Sequence, residues 1–191
     1  MPLLNLSYSK QDDAQIWIQM KAGDLDAFNL VFNHHVDFLI RYGHSITTDQ
    51  QLIDDCVQEV FSRIWQKKEQ LKSTDNIRYY LIACFRKELL KMMKKVAKRE
   101  SIFGGLFSGS VIEFDASLES NMIFNDIKRE QIASLNACFK KLSSRQKEVV
   151  YLKYYNDLSI AEIGEVVELD TKAVYNTLSK AMIILRKHLK K

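Results

Sequence analysis

A chain of 191 residues with one proline and six glycines is long enough for one large or two small domains, and it is poor in helix breakers, which points to an all-α fold. No apolar run approaches the roughly 20 residues needed to span a bilayer, and Met1 to Lys10 lacks a basic segment followed by a hydrophobic one, so a cytoplasmic protein without membrane insertion is expected. The formal net charge of +4 hides four blocks: net −3 over 1–85, +6 over 86–99, −5 over 100–170 and +6 over 171–191, a segregation that two separate contacts with a polyanion would produce and a uniformly solvated surface would not.

The first helical pattern runs from Asp13 to Ala22, with Ile16 and Met20 one turn apart and Gly23 placed to end it. A second follows Asp24, where Ala27, Phe28, Val31 and Phe32 lead on to Phe38, Leu39 and Tyr42. Both read as core scaffolding. His34 and His35 are adjacent and point in different directions on a helix, which reads as a pair of partly exposed packing residues rather than a shared metal site.

From Asp54 to Trp65 the chain reads DDCVQEVFSRIW. Ile53, Val57, Val60, Phe61 and Ile64 form an inward stripe and leave Asp54, Asp55, Gln58 and Glu59 outside, with Ser62 and Arg63 beside them. A compact acidic and amide face on a rigid helix suits a basic partner, and a merely solvated face is the competing reading. The pattern then breaks over Lys67 to Asn76, a polar stretch that ends in the turn formers Ser73, Thr74, Asp75 and Asn76. A long helix follows from Ile77 towards Arg99. It holds Tyr79, Tyr80, Phe85 and most of the first basic block, including Arg86 and Lys87. Aromatics beside cations, next to a polar loop, suit stacking of unpaired bases with neutralisation of phosphate. Aromatic core packing is the plainer account of some of Tyr79, Tyr80 and Phe85.

Residues 101–120 contain glycine and serine without a sustained period and read as a flexible linker, although Phe103, Leu106, Phe107, Val111, Ile112 and Phe114 make it apolar for a spacer. A further helical pattern with Ile132, Leu135, Phe139 and Leu142 on one face leads into the last unit. There Ser143 stands three residues before Gln146, and Ser159 three before Glu162, so each marks a helix start by a reciprocal capping box. The helix from Ser159 ends in a turn at Glu168 and Leu169, and Asp170 caps the next one. In that last helix Val174, Leu178, Ala181 and Leu185 face inward, leaving Lys172, Tyr175, Asn176, Ser179 and Lys180 outside. No acidic residue occurs from Thr171 onward. A short helix, a tight turn and a longer helix with an all-basic exposed side suit the DNA major groove; a solvated helical hairpin is the alternative.

Cys56, Cys84 and Cys138 are odd in number, far apart and set among apolar residues, so buried free thiols are expected. The chain has no glycine-rich phosphate loop, no zinc-type Cys/His spacing and no nucleophile motif, so neither an enzyme nor a metal or cofactor is expected.

Together these stretches resemble the extracytoplasmic-function sigma factors of bacterial RNA polymerase, a group of the sigma-70 family. GDLDAF from Gly23 and DDCVQEVFSRIW resemble the family's region 2, YLIACFR from Tyr80 to Arg86 resembles its strand-separating helix, and Leu142 to Leu189 resembles its region 4. The resemblance implies region 2 over 10–100, a linker over 101–120 and a region 4 helix-turn-helix over 121–191. It implies core-polymerase binding through the helix of Asp54, Asp55, Gln58 and Glu59, with Phe61 and Trp65 supporting from inside. It implies capture of single-stranded −10 DNA by the loop and helix holding Lys72, Ser73, Asn76, Tyr79, Tyr80, Arg86 and Lys87. The −35 duplex would be read by Thr171, Lys172, Tyr175, Asn176, Ser179 and Lys180. The linker would thread towards the polymerase active centre, and an anti-sigma factor is a partner this family often has.

The chain departs from the family pattern at Lys87, where asparagine is usual, and at Glu168, where the turn glycine is usual. Ala173, Tyr175 and Thr177 replace a common threonine and two often basic positions. A helix-turn-helix regulator that does not hold polymerase is the competing function; it would leave the Asp55 face and the first basic block without a role.

Overall fold

A computed structural model of the protein describes residues 13–102 and 138–189. The described residues are helical and form two units, one of 13–41 and 51–102 and the other of 42–50 and 138–189. Almost all of the expected linker, and Ile132 and Leu135, lie outside the described residues.

The first unit contains α1 (Asp13–Lys21), most of α2 (Leu25–His44), α3 (Gln50–Gln66), a 3-10 turn (Lys68–Gln70) and α4 (Ile77–Ile102). Helix α1 stops at Gly23, whose φ of 95° is the left-handed conformation that glycine adopts without a Cβ penalty. The next helix starts at once because the Asp24 carboxylate accepts from the backbone N–H groups of Asp26 and Ala27. Ile53, Val57, Val60, Phe61 and Ile64 are buried, as the stripe on α3 requires, and Cys56 is buried with them. Trp17, Met20, Leu39, Ile77, Leu81, Ile82, Phe85 and Leu89 of the same unit are wholly inaccessible. Full burial of each such side chain stabilises by about 1.5–3 kcal/mol, which is the term that holds these helices.

His35 corrects the expectation of two partly exposed histidines: His34 is exposed, but His35 is 2% accessible and lies edge-on to Phe38 at 5.3 Å between ring centroids. Burial, followed by the charges of His34 and Arg78, pushes the His35 imidazole down to about 3. The cysteines are free thiols. Cys56 and Cys138 are buried, whereas Cys84 is only half-buried. Burial, with the Glu88 charge beside it, pushes the Cys56 thiol up to about 12.

In the second unit, α5 (Ser144–Tyr154), α6 (Ile160–Val167) and α7 (Thr171–Leu189) pack round Leu152, Leu158, Ile163, Val167, Val174 and Ala181. Both expected capping boxes are present. The Ser143 hydroxyl accepts from Gln146 N–H while the Gln146 side chain accepts from Ser143 N–H, and Ser159 and Glu162 do the same for α6. Asp170 caps α7 by accepting from Ala173 N–H at 2.7 Å.

Candidate functional site

Three surfaces carry the residues singled out by sequence. On α3, Asp54, Asp55, Gln58 and Glu59 are all exposed, as the stripe demands. Behind them Phe61 meets Phe28 and Phe32 at centroid distances of 6.1 and 4.8 Å, and Trp65 meets Phe28 at 4.9 Å. These rings pack on the side of α3 away from the polar face. The face is one wall of an open groove of about 520 Å³ that brings Asp55, Gln58, Glu59 and Ser62 opposite Glu88, Met92 and Lys95 of α4. The α4 wall was not legible from sequence, because residues some 30 positions apart share no helical period. Nor is the face purely acidic. Arg63 pairs with Glu59 one turn away and donates to Glu88 at 2.8 Å, and Lys91 reaches Glu88 at 3.1 Å. The Arg63 hydrogen bond holds the Glu88 carboxyl below the usual carboxylate range against its burial, with Lys91 adding to the effect.

The second surface is the loop before α4 and the start of that helix. Lys72 and Ser73 are exposed, and Asn76, Tyr79 and Tyr80 are half-buried. Asn76 acts as the N-cap of α4: its side-chain oxygen accepts from Tyr79 N–H at 3.0 Å, and its own N–H donates to the Thr74 hydroxyl at 3.1 Å. Further along α4, Lys87 is exposed but Arg86 is only 8% accessible, so the two basic neighbours differ in what they present to solvent. Lys91, Lys94, Lys95 and Lys98 extend the exposed cationic side.

Residues far upstream hold this loop. The Asp13 carboxylate accepts from Ile77 N–H at 2.8 Å, and the Trp17 indole N–H donates to the Lys72 carbonyl at 2.8 Å. The Trp17 ring also meets Tyr80 edge-on at 4.8 Å, while the Lys68 ammonium lies 4.6 Å from the centre of the Trp65 ring. The α1 pattern by itself reads as plain scaffolding and does not show these contacts. Partners 64 and 55 residues away leave no signal in the local pattern.

On α7 the expected division holds. Val174, Leu178, Ala181 and Leu185 are buried, and Thr171, Lys172, Tyr175, Asn176, Ser179 and Lys180 are exposed. Tyr175 and Ile183, each 62% accessible, are large apolar side chains that this helix leaves exposed. Thr177 turns back on its own helix and donates to the Ala173 carbonyl at 2.7 Å. The turn that presents α7 is tight. Glu168 occupies the left-handed region at φ 58°, its N–H and that of Leu169 both donate to the Gly164 carbonyl, and Arg145 donates to the Val167 carbonyl at 2.8 Å. Among the described residues, no group of three or more His, Cys, Asp and Glu could hold a metal ion, and no helix is long and apolar enough to cross a membrane.

Two family models match separate parts of the chain. Residues 31–99 match the family model for Sigma-70 region 2, and residues 132–185 match that for Sigma-70, region 4. The chain is 23% identical over 181 residues to the ECF RNA polymerase sigma factor SigW of Bacillus subtilis (strain 168), covering 90% of this chain and 94% of that protein. Among solved structures it is similar in fold to CnrH in complex with the cytosolic domain of CnrY (TM-score 0.61, 19% identity, 93% of this chain and 97% of that one). It is similar also to the sigma factor RpoE in complex with the anti-sigma factor NepR from Bartonella quintana (TM-score 0.58, 18% identity, 95% and 96% covered). With two regions of one family in their family order, one over the helices of the polar α3 face and the other over the helix-turn-helix, the chain belongs to the sigma-70 family as a sigma factor of the extracytoplasmic-function type.

Proposed function

We propose that this protein binds core RNA polymerase, directs it to a specific set of promoters and aids strand opening there. The observation that carries the reading is the presence in one chain of two unlike polar surfaces: the exposed acidic and amide face of α3, and the exposed face of α7 in a segment without acidic residues. Asp54, Asp55, Gln58 and Glu59 would engage polymerase. Lys72, Ser73, Asn76, Tyr79, Tyr80 and Lys87 would meet unpaired −10 DNA, and Arg86, being buried, would act there from within α4. Thr171, Lys172, Tyr175, Asn176, Ser179 and Lys180 would read −35 duplex. Residues 10–100 and 121–191 would be the two functional domains. The role is that of a specificity subunit with no catalytic centre of its own.

The complex of the sigma factor RpoE with the anti-sigma factor NepR supports an anti-sigma partner for this chain too. The test is co-purification with core polymerase, followed by transcription from fragmented genomic DNA with start sites mapped. Discrete starts that share two spaced elements are expected. A protein that binds duplex DNA but neither associates with core polymerase nor alters its starts is a helix-turn-helix regulator instead.

A further inference from the structure

The loop before α4 is polar and short of regular structure, yet one backbone group within it and one at the helix start that ends it are tied to α1, across 55 and 64 residues of sequence. Both ties come from buried side chains: Asp13 is 2% accessible and Trp17 wholly inaccessible. They act at separate points. Asp13 takes up the first backbone N–H of α4, one of the donors a helix start leaves without an intrahelical partner. Trp17 fixes the peptide carbonyl of Lys72, inside the exposed part of the loop, and the same ring sets the edge of Tyr80. The loop is also closed locally by Thr74 and Asn76. A backbone so held leaves the side chains of Lys72 and Ser73 pointing outward from a fixed frame, and a fixed frame loses less conformational entropy on ligand binding than a free loop.

We infer that α1 is the element that shapes this loop for unpaired DNA, with Asp13 and Trp17 as positioning residues that touch no nucleotide themselves. The inference rests on the reading above that the loop receives the −10 strand. It assigns α1, which precedes the residues matched to region 2, a part in promoter-strand recognition.

The experiment uses full-length protein assembled with core polymerase. A randomised single-stranded DNA pool is selected on the wild-type holoenzyme, and the enriched oligonucleotide serves as the probe. Trp17→Phe keeps an aromatic ring against Tyr80 but loses the indole donor. Asp13→Ala loses the acceptor, and Asp13→Asn retains one. Trp17→Phe and Asp13→Ala should each weaken binding of the strand by roughly three- to tenfold, the worth of one hydrogen bond, while Asp13→Asn stays near wild type. Assembly with core polymerase and affinity for −35 duplex should not change. Faster amide exchange at Ile77 in Asp13→Ala would report the loosened helix start directly. Should Asp13→Ala not fold, Trp17→Phe carries the test. Wild-type strand affinity in both variants overturns the inference and leaves the function standing, as does an equal loss of strand and duplex binding. If the wild-type holoenzyme enriches no sequence, the reading of the loop falls, and the inference with it.

Discussion

Gly164 faces the turn that presents α7, and replacing it with alanine tests how closely that turn is built. A Cβ at this position would lie 2.6 Å from the Leu169 carbonyl oxygen, well inside the 3.4 Å at which ordinary contact begins, and 3.8 Å from a Val174 methyl. The obstacle is backbone, so no rotamer change relieves it. Relief requires α6 and the turn to separate, which strains the bonds from the Glu168 and Leu169 N–H groups to the Gly164 carbonyl. Forcing an extra carbon into a packed site of this kind costs about 1–3 kcal/mol. Against a total stability of roughly 5–15 kcal/mol, that loss is visible in chemical denaturation followed by circular dichroism. Affinity for −35 duplex should fall with it, because α7 would no longer be held at one angle. A neighbouring substitution should go the other way. Glu168 sits in the left-handed region, which costs a non-glycine residue about 1–2 kcal/mol, whereas glycine there regains this less about 0.5–1 kcal/mol of unfolded-state entropy. Glu168→Gly should therefore be neutral or stabilising by up to about 1.5 kcal/mol. Gly164→Ala within 0.5 kcal/mol of wild type, or Glu168→Gly clearly destabilising, would refute the description of this turn.

Three further outcomes are expected. His35 is held neutral down to about 3, so as pH falls below its ordinary 6.5 the unfolded chain takes up a proton that the folded chain does not; stability should drop by up to about 2 kcal/mol between pH 6.5 and 5, and a folded His35→Leu variant with an unchanged slope over that window would contradict this. Alanine at both Asp55 and Gln58 should change unfolding free energy by less than about 0.5 kcal/mol per site while lowering affinity for core polymerase; unchanged polymerase binding removes this face from the interface. Alanine at Lys172 and Lys180 should weaken −35 duplex binding and flatten its salt dependence by up to about one unit of slope for each phosphate no longer neutralised, with −10 opening preserved on a template of strong −10 sequence; equal damage to both activities would count against separate roles.

What could be read from sequence was what the chain does within a few residues of itself. The Ser143/Gln146 and Ser159/Glu162 boxes, the Asp170 cap and the stop at Gly23 are local, and each appears where its spacing places it. The stripes on α3 and α7 are periodic for the same reason, so the burial of Val57 and Leu178 and the exposure of Gln58 and Ser179 followed from register alone. Contacts across long separations have no such signature. Nothing about Asp13 or Trp17 taken singly announces Ile77 or Lys72 as its partner. Arg86 and Lys87 look equivalent in sequence, yet one is buried and the other exposed, because a single step along α4 turns a side chain by roughly 100° and carries it across the boundary of the core. His35 failed for a related reason. Its ring packs against Phe38 one turn on, and polarity gave no hint that it would be enclosed.

The ion pairs between α3 and α4 decide how the two neighbouring surfaces of the first unit relate. Arg63 is 42% exposed at its side chain, so its pairs with Glu59 and Glu88 add less than about 1 kcal/mol to stability each. Their effect is geometric. Glu88 is 8% exposed at its side chain and accepts from Arg63 of α3 on one oxygen and from Lys91 of its own helix on the other, so its position fixes the register between the two helices. Ser62, immediately before Arg63, lines the groove with Asp55 and Gln58, and Lys95, two turns beyond Glu88, lines the opposite wall. A partner gripping the α3 face would thus press on the same rigid pair of helices that presents Lys87 and Lys91 on α4. Loss of Arg63 would leave the Glu88 carboxylate with Lys91 alone and remove the tie across the groove. The groove walls would then be free to shift against each other while the core beneath, built from Ile53, Val57, Val60, Phe85 and Leu89, stays packed. Arg63→Met, which keeps the apolar stem, should accordingly lower the unfolding free energy by no more than about 2 kcal/mol for the two pairs together and weaken polymerase association more than that change accounts for. Association as tight as wild type would mean that the two walls need no tie.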